Sequence, residues 1–585
     1  MFKTLYKEID GFKLVSVLTP VCMIGEVVME MIVPRLMASI IDDGVTAGNM
    51  EHIYRVGGWM IVAAIIGLVF GVLGAVFGSR AATGFARNLR RSMYRNIQTF
   101  SFSNIDKYST AGLVTRMTTD VTNIQNAYQM ILRMFVRAPA SMIIAMVMSF
   151  AINRELASVY LVAVILLGSA LIFIMTRATR YFGEAFRKYD DLNESVQENV
   201  SAIRVVKAYV REKFEGEKFQ KASGNVQKLL LRAEMILSWN APLMQFTVYT
   251  CILVISWLGA RMIVSSGATA LTTGELMSML TYCMNILMSL MMLSMVFVMI
   301  TMSAASARRV AEVLSEKSDL TNPENPVMEV KNGAVQFEHV GFRYKRDGRE
   351  VLSDIDLNIR SGETVGIIGG TGSAKTSLVQ LLPRLYDVSA GTVRVGGVDV
   401  RKYDLETLRD SVAMVLQKNE LFSGTIAENL RWGNANATDE EIAEACRQAC
   451  ADEFIERFPD KYETHIEQGG TNVSGGQKQR LCIARALLKK PKILILDDST
   501  SAVDTATDAK IRHSFAEKIP GTTVFIIAQR ISSIEHADHV LVLDGGRIQG
   551  WGTPQELLET NKIYQEVYRS QTKGGGDFDE KGGEE

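Results

Sequence analysis

The sequence predicts a bundle of six membrane-crossing helices with long cytoplasmic extensions, followed by a soluble α/β domain built on a phosphate-binding loop. Three observations carry this. Hydropathy is uneven along the 585 residues, with long apolar runs confined to about the first 310. An apolar β-type run, Thr364-Val365-Gly366-Ile367-Ile368, leads into the glycine loop Gly369-Gly370-Thr371-Gly372-Ser373-Ala374-Lys375-Thr376 and then the helical run from Ser377. A second apolar strand, Ile493-Leu494-Ile495-Leu496, ends on Asp497. The expected division is 1–317 membrane region, 318–332 linker, 333–572 α/β domain and 573–585 tail.

The candidate spans are 13–41, 57–78, 134–152, 156–176, 241–263 and 276–302, each long enough to cross a bilayer of roughly 30 Å. Basic residues orient them. Arg87, Arg90, Arg91, Arg95 and Lys107 lie in one long connection, and Arg187, Lys188, Arg204, Lys207, Arg211 and Lys213 in another, whereas 42–49 has none. Both basic stretches, the N-terminus and the α/β domain are therefore expected on the cytoplasmic side of the cell membrane. Residues 1–11 suit a short amphipathic helix on the bilayer surface, and no cleavage site marks a signal peptide. Net charge is −1, so nothing global points to nucleic acid.

Within the first span, Glu26 and Glu30 are one helical turn apart. Carboxylates at membrane depth face a cavity or a partner. Two readings stand: a site for cationic amphipathic substrates, slightly preferred, and an interhelical pair with Arg35, Arg133 or Arg137. The last span is rich in methionine, with Met284, Met288, Met291, Met295 and Met299 on one stripe. Met288 and Met295 are candidate substrate contacts on an adaptable surface, although ordinary packing produces the same stripe. Six scattered cysteines contain no CxxC pair. His536 and His539 are three apart but lack a second ligand cluster. Pro323 and Pro326 mark the linker, and the glycine-rich acidic tail reads as disordered.

In the α/β domain, loop glycines let backbone N–H groups converge on phosphate oxygens. Lys375 supplies a point charge there, and the Thr376 hydroxyl can ligate Mg²⁺. Asp497 can hold the magnesium shell. Alanine replaces the usual glycine at 374; an ordinary helix-start φ is expected there, since a positive φ would resist alanine. Ser474, Gly475, Gly476 and Gln477 open a helical run and form a second anion site.

The segment Asn472-Val473-Ser474-Gly475-Gly476-Gln477-Lys478-Gln479-Arg480 resembles the signature motif of ATP-binding-cassette (ABC) proteins. Tyr344 matches the adenine-stacking aromatic, Gln417 the Q-loop, and Ser501-Ala502-Val503-Asp504 the D-loop. The resemblance implies ATP and Mg²⁺ as cofactors and head-to-tail pairing, each ATP lying between one chain's P-loop and the other's signature. It also implies a half-transporter of the exporter type. Segments 110–121 and 203–212 are similar to its coupling segments, which would press on nucleotide domains.

Two positions depart from the hydrolytic pattern. Asp498 stands where such relatives carry glutamate, and Gln529 where they carry histidine. Aspartate is one methylene short for orienting the attacking water, and glutamine lacks imidazole chemistry. The expectation is one subunit of a heterodimeric exporter of amphipathic molecules. Its own P-loop would serve a degenerate site, and its signature would complete a partner's catalytic one. A lipid or peptide exporter and a non-hydrolysing ATP-gated subunit are the alternatives.

Overall fold

The computed structural model describes residues 2–573 apart from Arg346 and residues 499–502. The tail beyond 573, and Ser501 and Ala502 of the D-loop, lie outside the described residues. The chain divides into two compact units, residues 1–99 with 108–317 and residues 100–107 with 318–585.

The first unit is helical. It contains α1 (Phe2–Lys7), α2 (Lys13–Ser39) and α3 (Met50–Gln98). The short α4 (Phe102–Lys107) interrupts it and belongs to the second unit. The first unit resumes with α5 (Thr110–Thr115), α6 (Val121–Ile152), α7 (Arg154–Ser201), α8 (Ile203–Ala208), α9 (Glu212–Leu237), α10 (Asn240–Ser266) and α11 (Thr273–Ser315). Six helical stretches among the described residues are long and apolar enough to cross a membrane: 13–45, 50–98, 110–152, 154–200, 212–266 and 273–315.

Local chemistry sets several of the boundaries. Asn49 and Asn153 cap α3 and α7 by accepting backbone N–H bonds, and Thr272 with Glu275 forms a full capping box on α11. Gly267, at φ 63°, ends α10. The helices meet in a buried apolar cluster that includes Val27, Met31, Ala145, Tyr160, Ile255 and Ile286. Its buried hydroxyls are satisfied: Tyr160 donates to the Met279 carbonyl at 2.9 Å and Tyr282 to that of Met31 at 2.8 Å. Nearer the other end, buried Asp120 accepts from Arg309 Nε at 2.7 Å and from Ser306 Oγ at 2.8 Å, fastening the start of α6 to α11.

Residues 110–121, read as similar to the first coupling segment, lie in the first unit. α5 and a π-helical turn at Arg116–Asp120 run straight on into α6 within the first unit. It is α4 that joins the second unit. Its Phe102 ring packs edge-on against Tyr386 at 6.0 Å, and Asp106 accepts from the Tyr386 hydroxyl at 2.7 Å. The polar flanks of α4 hide this from a pattern search.

Among the described residues the second unit has twelve strands: β1 (Val335–Phe342), β2 (Leu352–Ile359), β3 (Thr364–Ile368), β4 (Ala390–Val395), β5 (Val398–Asp399), β6 (Val412–Val415), β7 (Gly424–Thr425), β8 (His465–Ile466), β9 (Ile493–Asp497), β10 (Thr523–Ile527), β11 (His539–Asp544) and β12 (Arg547–Gly552). Between and after them run α12 (Lys375–Gln380), α13 (Leu405–Ser411), α14 (Ile426–Arg431), α15 (Asp439–Gln448), α16 (Asp452–Ile455), α17 (Gly475–Leu487), α18 (Thr505–Lys518), α19 (Pro554–Thr560) and α20 (Lys562–Lys573). The central sheet has the order β12-β11-β3-β10-β9-β6 and is parallel except for β12. Its inner strands are apolar on both faces, as helix-covered parallel strands must be. An antiparallel sheet, β2-β1-β4-β5, completes the unit. Residues 318–332 are packed rather than free: Leu320 and Val330 are buried, and Val327 bridges to Tyr403.

Candidate nucleotide site and membrane acids

Strand register assembles the site. β10 lies between β3 and β9, with Ile527 opposite both Ile367 and Asp497, while Val415 of β6 pairs with Leu496. The carboxyl ends of four parallel strands therefore come level, and the loops leaving them converge, which is where open α/β sheets bind ligands. The P-loop leaves β3, Gln417 follows β6, Asp497 and Asp498 close β9, and Gln529 follows β10.

Backbone geometry explains the glycine at 369 and corrects the expectation at 374. A Cβ on Gly369 would lie 2.0 Å from the Leu543 carbonyl oxygen. Ala374 is not at an ordinary helix start. It caps α12 in the left-handed region, at φ 73°. That is the conformation glycine supplies without cost and an L-residue adopts only with strain of about 1–2 kcal/mol. Residue type alone could not reveal it; φ depends on how the loop must turn to reach the helix.

Lys375 Nζ donates to the carbonyls of Gly369 at 2.8 Å and Gly370 at 2.9 Å, spanning its own loop. Burial holds its ammonium below the ordinary lysine value, against the opposing pull of Asp497 and Asp498. Thr376 Oγ1 donates to Asp497 Oδ1 at 3.1 Å. A hydroxyl and a carboxylate so placed are hard oxygen donors of the kind Mg²⁺ takes. Burial raises the carboxyl of Asp497, and also that of Asp498, above the usual aspartate value. Asp498 has φ 49° and accepts from Gln529 Nε2 at 2.7 Å.

Tyr344 is half-exposed, and its hydroxyl lies 2.8 Å from Ser377 Oγ on α12. Its ring stands edge-on to Phe342 and Tyr386, presenting an aromatic face beside the P-loop helix. Ser474 caps α17 in a reciprocal box with Gln477, leaving the helix start of Gly475 and Gly476 in the open. Asp504 caps α18 through Thr507 N at 2.9 Å.

In the membrane unit, Arg137 is the counter-ion of both acids, Nη1 to Glu26 at 2.7 Å and Nη2 to Glu30 at 2.9 Å. Arg35 and Arg133 take no part in these bonds. Met288 and Met295 are exposed on α11 and do not line the cavity around the acids. All six cysteines are buried and free. His539 stacks on Trp551 at 4.9 Å, a packing role for one of the two histidines.

A glycine loop, a hydroxyl–carboxylate pair and an exposed aromatic ring gather at the ends of a parallel sheet, here on one polypeptide with a unit of six helical stretches long and apolar enough to cross a membrane. Residues 17–291 match the ABC transporter transmembrane region, and residues 352–501 match the ABC transporter family. The chain is 34% identical over 560 residues to the ABC transporter ATP-binding protein YfiB of Bacillus subtilis, covering 96% of this chain and 97% of that one. It is 33% identical over 549 residues, 93% of each chain, to that organism's "Probable multidrug resistance ABC transporter ATP-binding/permease protein YheI". In fold it is similar to a bacterial Atm1-family ABC exporter solved with ATP bound, at TM-score 0.80 and 24% identity over 97% of this chain and 99% of that one. The chain belongs to the ABC transporter family, as a multi-pass membrane protein with its ATP-binding domain fused.

Proposed function

We propose that the chain is one subunit of a heterodimeric exporter that expels amphipathic molecules across the cytoplasmic membrane, with its ATP-binding unit on the cytoplasmic side. The observation that carries this is the bond between Asp498 and Gln529. The short carboxylate is tied to the Gln529 amide, which leaves less of it to orient an attacking water. ATP and Mg²⁺ would bind at Gly369–Ser377 and Asp497 with Gln417 and Tyr344 alongside, and turnover there would be slow. The open helix start at Ser474 is suited to the γ-phosphate of an ATP held by another chain. Export of amphipathic compounds is supported by the likeness to YheI and by the exposed methionine stripe at Met288 and Met295.

Steady-state ATPase measurement tests the assignment. The chain alone should turn over far below the 1–10³ s⁻¹ of ordinary enzymes. Paired with a half-transporter carrying Glu and His at the two positions, activity should appear. Ser474→Arg should then abolish it, while Asp498→Asn should change it little. Brisk turnover by the chain alone would sink the heterodimer.

A further inference from the structure

α2, α3 and α6 enclose a cavity of about 460 Å³, within the range of small-molecule sites. It runs along α3 from Ala63 to Ala75, about 18 Å at the helical rise. One end is apolar, lined by Val33, Ala63 and Ala64; toward the other come Glu26, Glu30, Arg137 and Arg133. Two carboxylates and two guanidiniums cancel in charge, but they are not evenly paired. Arg137 engages both acids. Arg133, one turn earlier on the same face of α6, has its stem pressed toward Gly78, where a Cβ would come within 3.1 Å of its Cδ. Its Nε is buried and has no hydrogen-bond acceptor among the described residues. A buried guanidinium N–H left without an acceptor is costly, and an anion would relieve it. A cation, by contrast, would have to compete with Arg137 for carboxylates already bonded.

We propose that this cavity binds an amphipathic anion, its acidic group on Arg133 and its apolar body along α3 toward Ala63. The inference deepens the export reading, on which it rests for treating the ligand as cargo. It reverses the charge expected from Glu26 and Glu30 alone.

Binding to the purified full chain in phosphatidylcholine nanodiscs tests it without transport, ATPase activity or a partner, so failure of the heterodimer leaves the test standing. Three fluorescent probes share a dansyl-labelled eleven-carbon chain and differ in the head: carboxylate, hydroxyl or trimethylammonium. The carboxylate should bind wild type tightest, by about tenfold, the scale of one charge-assisted hydrogen bond. Arg133→Gln should remove that preference and Arg133→Lys should keep most of it. Gly67→Leu should weaken all three probes, because the glycine's Cβ direction meets only Met29 at 3.4 Å and a larger side chain there fills the cavity. Competition by phosphatidylglycerol would identify a membrane lipid as the source of the anion, and its absence a freely entering amphiphile. Equal binding of the three heads to wild type, tighter binding of the ammonium, or an unchanged carboxylate preference in a folded Arg133→Gln protein overturns the proposal.

Discussion

Gln529 Nε2 donates to the Asp498 carboxylate at 2.7 Å. The two positions that depart from the hydrolytic pattern, 31 residues apart, are thus partners in one hydrogen bond. β9 and β10 put them there, since Asp497 and Ile527 are level in the sheet and each chain continues past that point.

Restoring both residues should restore turnover. Asp498→Glu with Gln529→His should raise the chain's own ATPase rate at least tenfold, and either change alone should give less, because each leaves the other's partner unmatched. Phosphate release from the purified chain is the measurement. A double variant as slow as wild type would mean that something other than these two side chains limits hydrolysis.

Ala374→Gly should help rather than harm. Relieving left-handed strain gains about 1–2 kcal/mol, partly offset by the greater freedom of glycine in the unfolded chain. Thermal unfolding of the nucleotide-binding unit should move up by about 2–4 °C for each net kcal/mol, and ATP affinity should not fall. A lower midpoint would show that the alanine methyl, packed against the neighbouring core, matters more than the backbone.

Asp497 gives a pH- and metal-dependent expectation. Its carboxyl is raised above the ordinary value, chiefly by burial. An acid raised on folding contributes stability only at pH below its unfolded value and loses that contribution as pH rises through the folded one. At neutral pH the ionised carboxylate therefore weakens the metal-free protein. Asp497→Asn, which keeps an oxygen acceptor for Thr376, should raise the metal-free melting temperature and abolish the increment added by Mg²⁺ with ATP. Calorimetry with and without Mg²⁺ at pH 7 reads both, and a destabilised metal-free variant would contradict the sign.

Asp120→Ala should destabilise the membrane unit. It would remove the buried acceptor of Ser306 Oγ and of Arg309 Nε; Arg309 is 45% exposed, so the loss is about 1–2 kcal/mol. Asp120→Asn should retain part of this through Ser306. The midpoint of thermal aggregation in detergent distinguishes the two, and equal behaviour of Ala and wild type would remove the fastening role.

Much of this architecture is legible in the sequence because its signals are local. A strand, glycine loop and helix in series, the aspartate closing β9, and Ser474 with Gln477 as a capping box each lie within about twenty residues. What is not legible depends on distant packing. The choice of Arg137 over Arg133 and Arg35 requires the pairing of α2 with α6. The place of α4 depends on Tyr386, 280 residues from Asp106. The φ of Ala374 depends on the path of the loop, which residue type does not encode.

The allegiance of residues 100–107 to the second unit has a mechanical consequence. The backbone passes between the units at 99–100, 107–108 and 317–318, three times rather than once. The ATP-binding unit is therefore joined to the membrane unit by three covalent connections rather than one. The same stitching makes any cut at 318 an amputation: it would strip Phe102 and Asp106 from Tyr386, leaving that ring with Phe342 and Tyr344 beside it as its aromatic contacts.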